Sequence, residues 1–362
     1  MTSTHVITGA TGLVGSALLM EIATTDENAR PRCLVRQSGP AAAESLHRML
    51  SACADAYGVP PDLAADAIAR TTLAEGFDFS RDLPERPPPP TAGPVHFWHS
   101  AAGMNFQEAR RREQFATNTA GTRRAVRLAE QLGAHTFTMI STAYVAGTAE
   151  GTVYEAPVER ADSRNPYERS KIAAERVLHT YRGPLTIQLM RPSIITGHSR
   201  TLLYPGRPSG AYTLQRIIAA YHRRLPADAT REQRRILAIP HQPVNLVPID
   251  HVAREAVAIG RDRRNSGIYH LTNPAPPRVA DLVDACFSNA GAAPPHYTTD
   301  EASLNGRDRI LHTMLAAYRP YLNSPQDFDR TRSDGATPTP APGWGPAPET
   351  LAALLRPHAD DR

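Results

Sequence analysis

Lysine is almost absent from the 362-residue chain, although lysine and arginine together number 40. The only lysine is Lys171, so arginine supplies nearly all of the positive charge. Aromatic residues make up 6% of the chain, and no arginine-rich run with interleaved aromatics occurs. With a net charge of only +4, the composition gives no indication of a nucleic-acid partner.

Cysteine is also scarce, with Cys33, Cys53 and Cys286 alone. An odd number without metal-ligand spacing favours reduced thiols in a cytoplasmic protein, and no metal site is expected. No apolar run is long enough to span a bilayer. The first residues lead directly into a strand and a glycine turn, without the charged and apolar regions of a signal peptide.

Short apolar runs alternate with helical patterns up to about residue 200. This rhythm predicts an α/β fold with a doubly wound parallel sheet. The predicted strands are His5–Thr8, Arg32–Val35, Val95–Trp98, Thr136–Ile140 and Leu185–Met190.

The pattern is less regular after Gly197, and the proline-rich stretch Pro84–Pro94 is expected to be a loop. The extended tail before the last predicted helix is expected to wrap the surface. In this second part we expect a helix over Thr213–Arg224, a short strand within Pro243–Ile249, a helix from His251 and a last helix near Pro348–Leu355.

A glycine turn, T-G-A-T-G-L-V-G, occupies Thr8–Gly15 between an apolar strand and an apolar helix. Gly9 would allow the tight turn, Gly12 the approach of a pyrophosphate, and Gly15 close packing of the helix on the strand. The free N–H groups at the helix start would then hold the phosphates. The turn therefore predicts a dinucleotide site.

The second predicted strand ends in Arg36, and Arg48 follows on the next helical stretch. A site for NAD usually has an acidic residue after this strand, which contacts the ribose 2′-hydroxyl. Arginine there favours the 2′-phosphate of NADPH. The alternative is that both arginines are solvated surface residues of an arginine-rich chain.

Tyr167 and Lys171 are four residues apart in N-P-Y-E-R-S-K, at the start of a predicted helix. This spacing places both side chains on one face. A nearby ammonium lowers the pKa of a phenol, and a compact ammonium can also donate to two ribose hydroxyls, which a planar guanidinium does poorly. We therefore expect Lys171 to tune Tyr167 and to hold the ribose.

A hydroxyl at the end of a strand would complete this group, and Ser141 and Thr142 both follow the Thr136–Ile140 run. Either side chain could hydrogen-bond a substrate carbonyl oxygen as hydride arrives. The alternative is that the pair only caps the strand end. The order of the glycine turn, the hydroxyl pair and Y-x-x-x-K favours a catalytic site.

Taken together, these motifs resemble the extended short-chain dehydrogenase/reductases, and within them the fatty acyl-CoA reductase and thioester reductase branch with its male-sterility-type NAD-binding domain. The motifs that carry the resemblance are G-A-T-G-L-V-G, C-L-V-R, F-D-F-S-R-D-L, H-S-A-A-G-M-N-F, N-T-A-G-T, S-T-A-Y-V-A-G, N-P-Y-E-R-S-K, R-P-S-I-I-T-G and N-L-V-P-I-D-H-V-A.

The resemblance implies a catalytic trio of Thr142, Tyr167 and Lys171. It also implies that His99 and Asn118 are structural supports, although His99 could equally be an ordinary core histidine and Asp78 a turn cap. The residues expected to bind the cofactor fall into several groups. The glycine turn contributes Gly9, Thr11, Gly12, Leu13, Val14 and Gly15, and the two arginines are Arg36 and Arg48. The resemblance adds Asp78 and Phe79 at the adenine, Ala101 and Ala102 along the groove, Lys171, and Ile194 beside the nicotinamide.

The fold implied is a Rossmann domain over residues 1–198, to which 243–272 return, with a substrate-binding region formed by 199–242 and 273–362. The function implied is NADPH-dependent reduction of an acyl thioester, with an acyl carrier protein as a candidate partner. Alternatives are a ketoreductase or aldehyde reductase, a sugar-nucleotide epimerase or dehydratase, and a non-enzymatic dinucleotide sensor. An intact tyrosine and lysine disfavour the sensor, which needs no proton donor.

Overall fold

The computed structural model describes residues 2–84, 93–158, 162–207, 209–226, 229–230, 232–340 and 342–356. Most of Pro84–Pro94, predicted to be a loop, lies outside these residues. The strands are β1 Ser3–Thr8, β2 Ala29–Leu34, β3 Thr72–Ala74, β4 Val95–His99, β5 Thr136–Ile140, β6 Gly151–Val153, β7 Thr186–Pro192, β8 Ile194–Thr196, β9 Arg235–Leu237, β10 Leu246–Pro248, β11 Gly267–Leu271, β12 His296–Thr298 and β13 Gln326–Phe328.

Helices alternate with these strands in the first half and predominate in the second. They are α1 Leu13–Thr25, α2 Pro40–Tyr57, α3 Pro61–Ala69, α4 Arg111–Gln114, α5 Gly121–Gln131, α6 Pro166–His179, α7 Ala211–Arg223, α8 Ile249–Gly260, α9 Val279–Asn289, α10 Gly306–Met314, α11 Thr331–Ala336 and α12 Pro348–Leu354. A π-helical segment, Phe115–Ala120, connects α4 to α5, and short 3-10 turns include Ala143–Ala146 and Arg319–Asn323.

Seven parallel strands form the central sheet in the order β11-β7-β5-β4-β1-β2-β3. From β1 the sheet continues through β2 and β3 on one side, and through β4, β5, β7 and β11 on the other. Direction therefore switches between β1 and β4, and a crevice opens there at the carboxyl ends of the strands. This topology confirms the predicted Rossmann-type fold and places the ligand crevice beside the glycine turn.

Helices cover both faces of the sheet, as a parallel sheet requires. One face packs on α1, α2 and α8 through buried residues such as Leu18, Leu46 and Val252. The other face packs on α5 and α6, where Val126 and Leu178 are buried. The strands predicted for this part are all present, while β3 and β11 were not predicted, since β3 has three residues and β11 lies beyond the regular alternation.

A second apolar cluster lies in the C-terminal half and joins α7, α9, α10 and α12. Its buried residues include Ile218, Leu282, Leu311 and Leu351. The proline-rich tail reaches this cluster along the surface, where the backbone N–H of Trp344 donates to Oδ1 of Asn273 at 2.9 Å. The helices predicted near Thr213 and Pro348 are α7 and α12.

Residues 326–336 belong by sequence to the predicted substrate-binding region, yet they pack on the sheet side of the molecule. β13 pairs with β6, and α11 packs beside β11. The buried carboxylate of Glu155 joins them, because it accepts from the backbone N–H of His270 at 2.7 Å and of Ser333 at 3.2 Å. The predicted division assigned all residues after 272 to the substrate-binding region, and it did not include this return of the chain to the sheet.

Candidate active site

The glycine turn after β1 is shaped as the sequence predicts. Gly9 has φ of +71°, and a Cβ there would lie 2.7 Å from the backbone nitrogen of Ala101. A Cβ on Gly15 would overlap the carbonyl oxygen of Gly9, so α1 packs directly on the turn. Only glycine fits at these two positions.

The start of α1 suits an anionic ligand. Gly12 is its N-cap and offers no side chain to the free N–H groups, and the first turn contains no acidic residue. Thr11, Leu13 and Val14 complete the turn. Unsatisfied N–H groups and the helix dipole favour a phosphate here, so the turn fits the pyrophosphate of a dinucleotide.

The end of β4 forms the opposite wall of the crevice. Oγ1 of Thr8 accepts from the backbone N–H of Ala101 at 3.1 Å and hydrogen-bonds Nδ1 of His99 at 3.0 Å. Burial, followed by the charge of Lys171, lowers the pKa of His99 to about 3. His99 is therefore a neutral buried support, and Ala101 and Ala102, predicted to line the cofactor groove, are partly exposed and exposed, respectively, after β4.

Asp78 lies half-buried after β3, near the adenine position that the resemblance implies. Its Oδ1 accepts from the backbone N–H and the hydroxyl of Ser80 at 2.9 and 2.7 Å, so it caps a turn. Burial works to raise the pKa of Asp78, but the Ser80 hydrogen bonds and the charges of Arg36 and Arg81 bring it below its usual value. Phe79 beside it is buried, with its ring 5.5 Å from that of His99.

Of the two arginines predicted to select the cofactor, Arg36 lies within electrostatic reach of Asp78 and is exposed after β2. Arg48 is exposed on α2, about 12 Å along the axis from the first residue of that helix. One carboxylate, Glu75, also reaches this loop and accepts from the backbone N–H of Gly39 at 2.8 Å.

Tyr167 and Lys171 both lie on α6, whose start the sequence specifies. Asn165 is the N-cap and accepts from the backbone N–H of Glu168 at 3.0 Å, and Pro166 is the first helical residue. Nζ of Lys171 donates to the carbonyl oxygen of Ile140 at 2.7 Å. The helix thereby brings Lys171 against the carboxyl end of β5.

Burial lowers the pKa of Lys171 to about 8, although the charge of Glu175 opposes the shift. Burial, followed by the charge of Glu168, raises the pKa of Tyr167, and a hydrogen bond with Thr142 opposes that rise. The expected lowering of the Tyr167 pKa by Lys171 is not what this structure shows. Tyr167 is a protonated phenol at neutral pH, and it can donate a proton.

The two candidate hydroxyls after β5 differ clearly in their partners. Oγ of Ser141 donates to Oε1 of the buried Glu175 at 2.5 Å. The side chain of Thr142 lies near Tyr167 and acts to lower the pKa of that phenol, and its Oγ1 accepts from the backbone N–H of Tyr144 at 3.3 Å. Of the two hydroxyl residues, Thr142 is therefore the one that lies near the phenol of Tyr167, whereas Ser141 is bonded to Glu175.

Glu175 is a supporting residue that the sequence reasoning missed. Arg191, which is fully buried, donates to it with Nε at 3.0 Å and Nη2 at 2.6 Å. Glu175 follows Lys171 by one helical turn, so the i,i+4 spacing on α6 could have indicated it. The pair anchors α6 to β7 directly beneath the trio.

Asn118 supports the site from the π-helical segment. Its Nδ2 donates to Oγ of Ser170 at 2.8 Å and to the carbonyl oxygen of Gly103 at 3.0 Å, and its Oδ1 accepts from the backbone N–H of Gly103 at 2.8 Å. These bonds hold the loop after β4 against α6. π-Helical insertions are frequent at functional sites.

A cluster of aromatic rings from distant segments reaches Tyr167 through Phe106. The ring of Phe106 is 6.0 Å from the rings of Tyr167, Tyr318 and Tyr321. Ile194, predicted to lie beside the nicotinamide, packs with Tyr144 and Phe328 in a neighbouring cluster. Nothing local in the sequence marks Phe106, Tyr318 or Tyr321 as members of the site.

The described ranges contain no group of three or more histidine, cysteine or acidic residues that could hold a metal ion. In the same ranges, no helix has both the length and the apolar character to cross a membrane. Cys33, Cys53 and Cys286 are buried free thiols.

Residues 93–256 match the male sterility protein family. This match confirms the resemblance drawn from the motifs. FrzA, a nonribosomal peptide synthetase of a Cladobotryum species, is 28% identical over 306 residues, which are 80% of this chain. The chain spans only 28% of the length of that relative.

Solved structures show the same fold at low sequence identity. The terminal R domain of the myxalamid PKS-NRPS pathway matches with a TM-score of 0.70 at 20% identity, over 98% of this chain and 89% of the other. A thiolation-reductase di-domain of an archaeal nonribosomal peptide synthetase gives 0.68 at 18%, over 98% and 89%. MoeE5, solved with UDP-glucose and NAD, gives 0.60 at 18%, over 98% and 97%. These likenesses at low identity show that the chain shares the fold of these proteins, and the matched family model describes a NAD-binding domain.

Proposed function

We propose that the chain reduces an acyl thioester, carried by coenzyme A or by a carrier protein, to an aldehyde or an alcohol with NADPH. The observation that carries this proposal is the grouping of Thr142, Tyr167 and Lys171 at the carboxyl edge of the sheet, beside the glycine turn. The family match and the reductase-domain likenesses support it. We also propose a cofactor domain over 1–198 and 243–272 and a substrate-binding region over 199–242 and 273–362, apart from residues 326–336, which pack on the sheet side.

A bound nicotinamide supplies a hydride to the carbonyl carbon of the substrate. Thr142 and Tyr167 stabilise the oxygen as negative charge develops on it, and Tyr167 transfers its proton to that oxygen. Lys171, whose Nζ donates to the carbonyl oxygen of Ile140, would hold the ribose of the bound cofactor. Thr142 and Lys171 are buried and Tyr167 is half-buried, and this limited access of water strengthens the electrostatic interactions at the site.

For a thioester, one hydride and one proton give a hemithioacetal. Its carbon–sulfur bond then breaks, the oxygen becomes the carbonyl of an aldehyde, and the thiol leaves with a proton. A second hydride and proton would convert the aldehyde into an alcohol. The expected signature of the first reduction is therefore one thiol released per NADPH oxidised.

NADPH is the proposed cofactor because Arg36 lies near Asp78 and no acidic residue directly follows β2. Arg48 is proposed as a weaker contributor. Titration of the protein with NADPH and with NADH, followed by fluorescence, should show NADPH binding at least tenfold more tightly. Equal affinities would remove both arginines from the cofactor site.

An acyl carrier protein is the proposed partner that presents the thioester. One structural relative is itself a thiolation-reductase di-domain. The excess of arginine on this chain would suit an acidic carrier or the phosphate of phosphopantetheine. Three buried free thiols are consistent with the proposed cytoplasmic location.

The test is to incubate the protein with NADPH and a panel of acyl-CoA and acyl-pantetheine thioesters, free and carrier-bound. Loss of NADPH absorbance and release of thiol should proceed together. NADPH oxidation with ketones or aldehydes but with no thioester would favour a ketoreductase. Conversion of a nucleotide sugar without net oxidation would instead indicate an epimerase or dehydratase.

A further inference from the structure

Tyr321 lies at the start of the helix that carries Tyr167, although the two are far apart in sequence. Its hydroxyl donates to Oε1 of Glu168 at 2.7 Å and accepts from Nδ2 of Asn165 at 2.7 Å. Asn165 is also the N-cap of α6. A single hydroxyl of the C-terminal half therefore contacts both the cap of α6 and the residue that follows Tyr167.

The side chain of Glu168 is fully buried, so its carboxylate needs hydrogen-bond donors from the protein. Arg164 supplies the remaining donors, with its backbone N–H at 2.7 Å and its Nη1 at 3.1 Å from the carboxylate. The Arg164 guanidinium also lies 4.9 Å from the centre of the Tyr321 ring, and its Nη2 donates to Ser324 at 2.5 Å. A buried carboxylate that loses a donor is strongly disfavoured, so Tyr321 is held closely in place.

The rings form a continuous wall beside the phenol. The centre of the Phe106 ring lies 6.0 Å from the centres of the Tyr167, Tyr318 and Tyr321 rings. Tyr144 meets Tyr321 edge to face at 5.1 Å. Phe106, Tyr318 and Tyr321 are half-buried, so part of each ring remains accessible to a ligand. Aromatic faces of this kind bind planar or bulky apolar groups.

We propose that Tyr321 is a positioning residue for Tyr167, and that its ring forms the acyl-binding wall together with Phe106 and Tyr318. The substrate class is a thioester with an aromatic or bulky apolar acyl group. This inference rests on the proposed function and extends it to substrate selectivity. The wall binds the acyl group, and the hydroxyl of Tyr321 fixes the start of α6 and so the phenol.

Tyr321→Phe separates the two roles, because it removes the hydroxyl and keeps the ring. With NADPH and phenylacetyl-pantetheine, we expect kcat to fall about tenfold while KM stays within twofold. Phe106→Leu should raise KM for phenylacetyl-pantetheine at least fivefold and leave KM for acetyl-pantetheine within twofold. Tyr181→Phe is the matched control, because Tyr181 donates to Glu130 at the same 2.7 Å on the surface. It should change neither constant.

A second measurement does not depend on turnover. Amide hydrogen exchange over residues 165–171 should become faster in Tyr321→Phe and stay unchanged in Tyr181→Phe. Unchanged exchange together with wild-type kcat would overturn the positioning role. Equal rise of KM for both thioesters in Phe106→Leu, or wild-type preference for acetyl over phenylacetyl, would overturn the acyl wall. If the wild type reduces no thioester, the proposed function fails, whereas hydrogen exchange still decides whether Tyr321 holds α6.

Discussion

The two sides of the candidate site are built in different ways. At the edge of the sheet, Thr142 and Lys171 are 29 residues apart, and a strand end and one helical turn bring them together. On the opposite side, Phe106 meets Tyr318 and Tyr321 across more than 200 residues. The chemistry of the first side depends on local geometry, whereas the second depends on how the C-terminal half packs.

The two sides also differ in how charge is handled. Beneath the trio, Glu175 and Arg191 form a buried ion pair that joins α6 to β7. On the aromatic side, the buried Glu168 pairs with Arg164 at 3.1 Å on the same helix start, and the hydroxyl of Tyr321 joins the C-terminal half to this carboxylate. The first side is therefore expected to control stability and catalysis together, and the second to control selectivity and, through the Tyr321 hydroxyl, the position of the phenol.

The largest expected effect comes from removing the buried ion pair on the first side of the site. Arg191→Met leaves the buried Glu175 without its charged partner and should lower the free energy of unfolding by about 3–5 kcal/mol. Chemical denaturation measures this change. Arg264→Met is the control, since Arg264 pairs with Asp262 at 2.7 Å but is 90% exposed. An equal effect of the two substitutions would show that the buried pair does not anchor α6.

Lys171→Arg should cut turnover by well over tenfold while the protein still folds. The charge survives, but the larger planar group cannot occupy the site of an ammonium that donates to Ile140 and, in the complex, to ribose. Steady-state kinetics and thermal melting measure the two outcomes. Arg169→Lys on the same helix is the control, and near-normal turnover in Lys171→Arg would contradict the role.

Lysine titration gives a pH dependence that arginine lacks. Because burial lowers the pKa of Lys171 to about 8, its charge is lost as the pH rises through 8, and turnover should fall there in the wild type. Lys171→Arg should show no such fall. From pH 8 to about 10.5, Lys171 keeps its proton in the unfolded chain but has lost it in the folded chain. Its contribution to the free energy of unfolding of the wild type therefore increases as the pH rises through this range.

Substitutions of Ser141 and Thr142 should have different effects, although both residues lie on the first side of the site. Thr142→Val should lower kcat about tenfold with little loss of stability, because Thr142 contacts the phenol. Ser141→Ala should leave kcat within about threefold and lower the free energy of unfolding by about 1–3 kcal/mol, since Glu175 loses a buried donor. The reverse assignment of effects would make Ser141 the catalytic hydroxyl.

The smallest expected effect lies at the cofactor end of the crevice. Arg36→Ala should weaken NADPH binding severalfold, corresponding to about 1 kcal/mol, and leave NADH binding unchanged. Arg48→Ala is the paired variant, and its effect should be smaller because Arg48 lies further along α2. Fluorescence titration with both cofactors decides the order of the two arginines.

The sequence was sufficient for the features that short segments determine. The glycine turn, five of the seven strands of the central sheet, and the placement of Tyr167 and Lys171 on one helix all follow from local patterns. The pKa of Tyr167 could not be predicted, because it depends on burial and on Glu168, whose own environment is completed by Tyr321. The return of residues 326–336 to the sheet likewise depends on Glu155, a contact between distant segments.

The central claim is that hydride reaches a thioester carbonyl while Tyr167 supplies the proton. A single-turnover reaction with NADPH deuterated at the transferred position and an acyl-pantetheine substrate tests it directly. The account predicts deuterium on the aldehyde carbon, one thiol released per cofactor oxidised, and a loss of at least about 100-fold in rate for Tyr167→Phe. Aldehyde without deuterium, or a Tyr167→Phe rate equal to that of the wild type, would contradict it.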